Sequence, residues 1–311
     1  MMKLNIISGN ANIELSKQIV NKLGIELSRA KVGRFSDGEI EVKIVDNVRG
    51  SDCYIVQPTN YPVNENLMEL LIIADALKRA SAKKIIAVVP YYGYGRQDRK
   101  SEPRVPITAR LVANLFATAG ITRVVTMDLH AGQIQGFFDI PIDNLYTLPV
   151  ILSYFKKKKL DDVVIVSPDS GGVERARSFA EHLNAGLAIA DKRRPHPNEA
   201  AVMNIIGKVK NKTCIILDDL VDTAGTFTKV AEVIKAKGAK RVFAAASHGV
   251  LSGNAKQRIQ DSCIEELVIT DSIPLSKDEH VEKAVVLSIA PILAEAIIRI
   301  SKDESISALF L

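Results

Sequence analysis

Short runs rich in Val, Ile and Leu recur along the whole chain, and helical patterns fill several of the gaps between them. LNIIS, CYIVQPT, KIIAVVP, RVVTMDL, VVIVSPD, CIILDD, RVFAAASH and ELVITDSI each have the length and β-branched content of a buried strand. Between them, NENLMELLIIADALKRA sets Leu67, Leu70, Leu71, Ala74 and Leu77 on one helical face. TFTKVAEVIKAKGAK does the same with Phe227, Val230, Ala231 and Ile234, and Gly238 stands where a helix C-terminal glycine belongs. Strand, helix, strand in repetition leaves few options. It predicts an α/β fold whose sheets are mostly parallel and flanked by helices.

The pattern also echoes itself. YIVQPT followed by ALKRASAKKIIAVVPYYGYGR resembles IILDDLVDTAGT followed by EVIKAKGAKRVFAAASHGVLSG. Each is a strand, a loop, a helix ending in Ala-Lys, a second strand and a glycine-containing turn. A chain of 311 residues accommodates two such domains. The expected division is 1–147 and 148–311, with the last helix packing back on the first domain. In the first copy the loop QPTNYPVNE lacks the acids and the Ala-Gly-Thr, so ligand binding there is expected to be degenerate.

Several function classes drop out. The tract AVVLSIAPILAEAIIRI is broken by Pro291 and Glu295, and reads as a strand end followed by an amphipathic helix rather than a membrane span. The N-terminus has no apolar core of signal-peptide length. The cysteines, Cys53, Cys214 and Cys263, are odd in number and form no CxxC, which predicts reduced thiols. The net charge of +5 is mild and its basic residues are scattered, apart from Lys156–Lys159, read as a solvated face. A cytoplasmic, soluble enzyme or binding protein is expected, with no nucleic acid or membrane partner.

The segment CIILDDLVDTAGT, Cys214–Thr226, carries the chemistry. Ala224 and Gly225 leave backbone N–H groups approachable, Thr223 and Thr226 add hydroxyls, and the helix that follows turns its positive end toward an anion. Asp218 and Asp219 precede this phosphate cradle and can accept hydrogen bonds from sugar hydroxyls. Neither GxxxxGK[ST] nor a GxGxxG between strand and helix is present, so any ATP binds by another arrangement.

DDLVDTAGT resembles the phosphoribosyl-diphosphate loop of type I phosphoribosyltransferases and ribose-phosphate diphosphokinases. GRFSDGEIEVKI, NVRGSDCYIVQPT, PYYGYGRQDRK, MDLHAGQIQGFFDIPIDNL, VSPDSGGVERAR and ADKRRPHPN resemble the diphosphokinase family in order and spacing over nearly the whole chain, most closely its phosphate-dependent, ADP-inhibited class. The resemblance implies two domains of the type I phosphoribosyltransferase fold. It implies transfer of the β,γ-diphosphate of ATP to O1 of ribose 5-phosphate with Mg²⁺, giving phosphoribosyl diphosphate and AMP. Phe35, Asp37, Gly38 and Glu39 would form the adenine-side loop, supplied by a neighbouring subunit. Arg96, Gln97 and Asp98 would contact ATP, and Arg99, Lys100 and Arg104 would belong to a mobile loop closing over it. Glu102 and Pro103 depart from the family pattern there, and Pro103 should stiffen that loop.

On the same resemblance, His130 and Asp169 are the Mg²⁺–ATP ligands, and Lys192 and Arg194 the catalytic cations. Arg194, Asp218, Asp219, Asp222, Thr223, Ala224, Gly225 and Thr226 bind ribose 5-phosphate. Asp218 and Asp219 are the candidates nearest the sugar for taking the C1 proton. Gln135, Asp143, Asn144, Ser305 and Ser307 match a regulatory site for activating inorganic phosphate or inhibitory ADP, and Gly132 replaces a serine of some members. A homo-oligomer, a hexamer built from dimers, is implied. The alternatives are a silent regulatory subunit of the same fold and a phosphoribosyltransferase. The first is disfavoured by an unenlarged catalytic loop, the second by the presence of FSDGE, GRQD and DLH together.

Overall fold

The computed structural model describes residues 4–193, 202–275 and 281–309. The chain divides into two compact units, Met1–Tyr146 with Ser272–Pro274 and Ser288–Leu311, and Thr147–Asp271 with Leu275–Leu287.

In the first unit, β1 (Leu4–Ser8) is followed by α1 (Ile13–Leu23) and by a hairpin of β2 (Ala30–Arg34) and β3 (Ile40–Ile44). Then come β4 (Asp52–Val56), α2 (Val63–Arg79), β5 (Lys84–Val89), α3 (Thr108–Ala119), β6 (Arg123–Met127), a 3₁₀ turn (Gly132–Phe137) and β7 (Ile142–Leu145). The sheet order is β1-β4-β5-β6-β7, all parallel. Successive strand side chains point to opposite faces. Ile6, Tyr54, Val56, Ile86 and Val88 therefore meet Leu15 and Ile19 of α1, together with Leu293 and Ile297 from the last helix described below. Ile7, Cys53, Ile55, Ala87 and Val89 meet Leu70, Leu77, Val112 and Phe116 on the other face. With both faces covered, continuous apolar runs are what such strands require. Leu67, Leu70, Ala74 and Leu77 of α2 are buried as expected, whereas Leu71 is only partly so and Ile73 is fully buried.

The second unit runs α4 (Leu148–Lys158), β8 (Val163–Ser167), α5 (Val173–Leu183), β9 (Gly186–Arg193), β10 (Val202–Ile206), β11 (Thr213–Val221), α6 (Gly225–Ala236), β12 (Arg241–Gly249), α7 (Ala255–Asp261), β13 (Glu266–Thr270) and β14 (Ala284–Leu287). The final helix, α8 (Ala290–Ser301), belongs to the first unit. Strand order is β10-β9-β8-β11-β12-β13-β14, with only β10 antiparallel to its neighbour. The series β8-β11-β12-β13-β14 repeats the order of the first unit, so the sequence echo is an echo of topology. Phe155, Phe179 and Phe243 pack edge to face between one side of this sheet and α4 and α5. Phe227, Val230 and Ile234 of α6 cover the other side, each contributing about 1.5–3 kcal/mol by leaving water.

Three features differ from the sequence reading or extend it. Lys156, Lys157 and Lys159 are exposed, but Lys158 is partly buried; its Nζ donates to Glu266 Oε2 at 2.9 Å and lies 5.4 Å from the Phe243 ring centre. A single solvated face is therefore the wrong description of that run. The hairpin β2–β3 and strand β9 carry charges among their apolar residues, the short edge strand β10 carries the polar Asn204, and periodicity does not reveal them as strands. Cys53 and Cys214 are buried and neither is in a disulfide, burial pushing the Cys214 thiol up to about 11. Among the described residues no helix is long and apolar enough to cross a membrane.

Candidate active site

Ligands in parallel α/β sheets bind at the carboxyl ends of the strands. In the second unit that edge is formed by the ends of β8, β9 and β11. β11 carries Asp218 and Asp219 and ends at Val221, after which Asp222–Ala224 turn the chain into α6. Ala224 has φ 60°, in the left-handed region, and no side chain caps the helix. By contrast, α1 is capped by Asn12, which accepts from Leu15 N at 3.1 Å. The first N–H groups of a helix have no partners within it. At α6 they stay available to an anion, and the exposed Thr223 and Thr226 flank them.

The two adjacent acids need a counter-charge. Asp219 is 4% exposed. Arg175, in the first turn of α5, places one guanidinium nitrogen 3.4 Å from Asp218 Oδ1 and 3.4 Å from Asp219 Oδ1. Asp218 Oδ1 also accepts from Asp219 N at 2.9 Å. Burial, and then the Asp219 charge, push the Asp218 carboxyl up to about 8 against the opposing pull of Arg175.

The folded protein thus holds this proton to higher pH than the unfolded chain, whose carboxyl has its usual value near 3.8. Stability contributed here falls as pH rises between those two values. Asp218→Asn mimics the protonated acid, so it should raise the melting temperature more at about pH 8.5 than at about pH 5.5. Equal shifts at the two pH values in thermal melts of ligand-free protein would contradict this.

Asp169, just beyond β8, is exposed. Its Oδ1 accepts from Gly171 N and Gly172 N at 2.9 and 3.0 Å, which fixes the carboxylate at the entry to α5. A Cβ added to Gly172 would lie 3.0 Å from Ser167 Oγ, 3.6 Å from Asp218 Oδ1 and 3.8 Å from Asp169 Oδ1. The ends of β8 and β11 therefore bring Asp169 and Asp218 to one spot. Lys192 pairs in register with Met203 on the part of β9 that extends past the end of β8. Its side chain and the whole of Arg194 lie outside the described residues.

In the first unit, Phe35, Asp37, Gly38 and Glu39 form the exposed tip of the β2–β3 hairpin. Phe35 N donates to Glu39 O at 2.8 Å, Asp37 Oδ1 accepts from Glu39 N at 3.1 Å, and Gly38 takes φ 94°. Phe35 is 53% exposed, a large ring presented to solvent or a partner. Arg96, Gln97 and Asp98 lie beyond β5. Gln97 is anchored through Ala109 N, which donates to its carbonyl at 3.1 Å, and Gln133 Nε2 donates to Asp98 Oδ2 at 3.2 Å. That last contact joins the GRQD loop to the segment that begins at His130. His130 is exposed, two residues after the buried Asp128, whose φ is 39°. Arg99, Lys100 and Arg104 are exposed, with Arg104 at φ 66° directly after Pro103.

The regulatory candidates occupy separate elements. Gln135 is in the 3₁₀ turn and donates from Nε2 to Gly132 O at 3.0 Å. Asp143 and Asn144 are on β7. Asp143 lies 3.4 Å from Arg123, and burial pushes its carboxyl up. Asn144 is 3% exposed and its Oδ1 accepts from Leu129 N at 3.0 Å. Ser305 and Ser307 hydrogen-bond each other at 3.0 Å beyond α8.

The profile of the N-terminal domain of ribose phosphate pyrophosphokinase matches residues 4–120, and that of the phosphoribosyl synthetase-associated domain matches residues 192–311. The ribose-phosphate pyrophosphokinase of Bacillus subtilis is 56% identical over 307 residues, 99% of this chain and 97% of that one. The chain belongs to the ribose-phosphate pyrophosphokinase family. The enzyme of that name from Corynebacterium ammoniagenes is 55% identical over the same share of each chain. The crystal structure of phosphoribosylpyrophosphate synthetase from Mycobacterium smegmatis aligns with a TM-score of 0.92 at 41% identity, covering 97% of this chain and 99% of that one.

For a ribose-phosphate pyrophosphokinase family member, the residue that sequence reasoning passed over is Arg175. It stands inside the quoted motif VSPDSGGVERAR without a role. A signal was available: a cation in the first turn of a helix opposes the helix dipole, so its presence there calls for an anionic partner.

Proposed function

We propose that this chain transfers the β,γ-diphosphate of ATP to O1 of ribose 5-phosphate. The products are 5-phosphoribosyl 1-diphosphate and AMP. The observation that carries the reading is the β11–α6 junction, where two adjacent acids lead directly into an uncapped helix N-terminus flanked by Thr223 and Thr226. Acids suit sugar hydroxyls and the uncapped N–H groups suit the 5-phosphate, so the two ends of one sugar phosphate are recognised by one turn of chain.

In the reaction, O1 of the sugar attacks the β-phosphorus, its proton passes to Asp218, Asp219 or water, and AMP departs with the electron pair of the broken P–O bond. Positioning and charge stabilisation do most of the work in such transfers. Asp218 and Asp219 orient the sugar, and α6 anchors its phosphate. Lys192 and Arg194 stabilise charge on the transferring group and on AMP. Phe35 stacks on the adenine, with Asp37 and Glu39 beside it, while Arg96, Gln97 and Asp98 receive the nucleotide's polar groups. Arg99, Lys100 and Arg104 exclude water on closing.

Among the described residues no group of three or more His, Cys, Asp or Glu could hold a metal ion unaided. The donor chemistry fits an ion that shares its coordination with substrate. Asp169 offers one exposed, pre-oriented carboxylate, and Mg²⁺ commonly takes one or two carboxylates plus substrate phosphates and water. His130 is a nitrogen donor and suits contact through water or phosphate. When bound, Mg²⁺ neutralises charge on the diphosphate oxygens.

The same reading includes activation by inorganic phosphate and inhibition by ADP through Gln135, Asp143, Asn144, Ser305 and Ser307. It also includes assembly as a homo-oligomer, a hexamer in which a neighbour supplies the Phe35 hairpin, two domains at 1–147 and 148–311 with the last helix packing back on the first, and a cytoplasmic location. The deciding experiment measures AMP formed from ATP and Mg²⁺ with and without ribose 5-phosphate. Sugar-dependent AMP is expected. Its absence from well-folded protein would overturn the proposal.

A further inference from the structure

The phosphate cradle is braced from outside by the segment leaving β12. Val250 N and Leu251 N donate to Val221 O at 3.0 and 3.1 Å. Ser252 Oγ donates to Asp222 Oδ1. Arg258, in α7, donates from a guanidinium nitrogen to Thr223 O at 3.0 Å. The same nitrogen is 3.5 Å from the position a Cβ on Gly225 would occupy. Three positions of the loop, Val221, Asp222 and Thr223, are thus each held by this one segment.

The Arg258 contact has a particular chemistry. In a loop that receives a phosphate through N–H groups, the carbonyls are the backbone groups that repel it. The Thr223 carbonyl is turned onto a cation instead. Arg258 is exposed, and among the described residues this is its only side-chain hydrogen bond and it pairs with no acid. The remaining guanidinium donors are uncommitted, and a full positive charge stands beside Gly225, the first residue of α6. A surface arginine serving the fold alone gains little from donating to a single loop carbonyl, whereas one beside an anion site adds to its field.

We infer that Arg258 is a positioning residue for the phosphate end of the sugar substrate. It keeps the Thr223 carbonyl off the anion and adds a guanidinium to the cradle, so it sets the affinity for the phosphomonoester. The inference rests on the proposed reaction. Its effect belongs in KM for ribose 5-phosphate rather than in KM for ATP.

The test is steady-state kinetics of the full-length protein at fixed Mg²⁺ and inorganic phosphate. The wild type comes first: no sugar-dependent AMP there is a failure of the proposed reaction and not of the role of Arg258. With an active wild type, Arg258→Ala is expected to raise KM for ribose 5-phosphate by about tenfold or more. The change in kcat and in KM for ATP should be smaller. Arg258→Lys keeps the charge and should recover part of the loss. Arg258→Gln keeps a neutral donor for the Thr223 carbonyl and should recover less than the lysine variant. A KM for ribose 5-phosphate within about twofold of wild type in both the alanine and glutamine variants would overturn the inference. So would equal losses in both substrates' KM, which mark general damage to the fold. Arg258 is exposed and outside the cores, so the glutamine variant remains informative even where the alanine variant expresses poorly.

Discussion

Replacing Lys192 with alanine should lower kcat by about 10³-fold while the protein stays folded. The family resemblance puts a catalytic lysine at this position, and the backbone puts it on the stretch of β9 that runs past the end of β8, the strand that leads into Asp169. Breaking the bond to AMP moves negative charge onto the leaving phosphate and the transferring group. A fixed cation there stabilises the transition state more than the ground state, so its loss appears in kcat. Removing one such donor from an active site typically costs about 10²–10³ in rate. The fold should survive because β9 is held by backbone ladders to β8 and β10 that require no particular side chain at this position. The measurements are kcat, both KM values and a thermal melt. Turnover near that of the wild type would remove Lys192 from the catalytic set. Lys192→Arg keeps the charge with a different shape and should recover only part of the rate.

The architecture was legible because local signals agreed with one another. Runs such as LNIIS and KIIAVVP coincide with β1 and β5, and the spacing of Phe227, Val230, Ala231 and Ile234 gives the buried face of α6. Strands buried on both faces must be apolar throughout, and that pattern survives in a single sequence. The strands that escaped notice are those with mixed surroundings. AKVGR and IEVKI pair with each other and have no fully buried side chain, so their residues carry no strong pattern. The proposed cradle, Asp218 to Thr226, could be picked out because all its parts are contiguous. What supports the cradle could not, since Arg175 and Arg258 come from helices 43 and 35 residues away from their partners Asp218 and Thr223. Long-range ion pairs leave no spacing to read. They surface only as small anomalies, such as a cation at the wrong end of a helix.

Arg175 tests that lesson most directly, because its loss should affect both stability and sugar binding. It is the cation shared by Asp218 and Asp219, one of them nearly fully buried. Arg175→Ala leaves the two carboxylates facing each other without compensation. The expected cost is about 2–3 kcal/mol of stability, a range set by hydrogen bonds to charged groups. The pH dependence identifies the cause. Arg175 holds the Asp218 carboxyl down, so without it that carboxyl rises further. At about pH 5.5 the acid is then protonated in wild type and variant alike, and the stability deficit should be small. Above about pH 8.5 wild type ionises against a counter-charge that the variant lacks, and the deficit should be largest there. Sugar hydroxyls donate best to ionised acids, so kcat/KM for ribose 5-phosphate should fall by about 10²-fold above about pH 8.5, where the wild-type acid is ionised and that of the variant resists ionising. A second substitution separates the two effects. Arg175→Ala combined with Asp218→Asn removes one of the repelling charges and should recover much of the lost stability at high pH, without restoring sugar affinity. If the melting deficit of Arg175→Ala is the same at both pH values, the guanidinium acts by packing. If KM for ribose 5-phosphate is also unchanged, the acid pair is not the sugar's partner, and the phosphate cradle must bind its substrate without it.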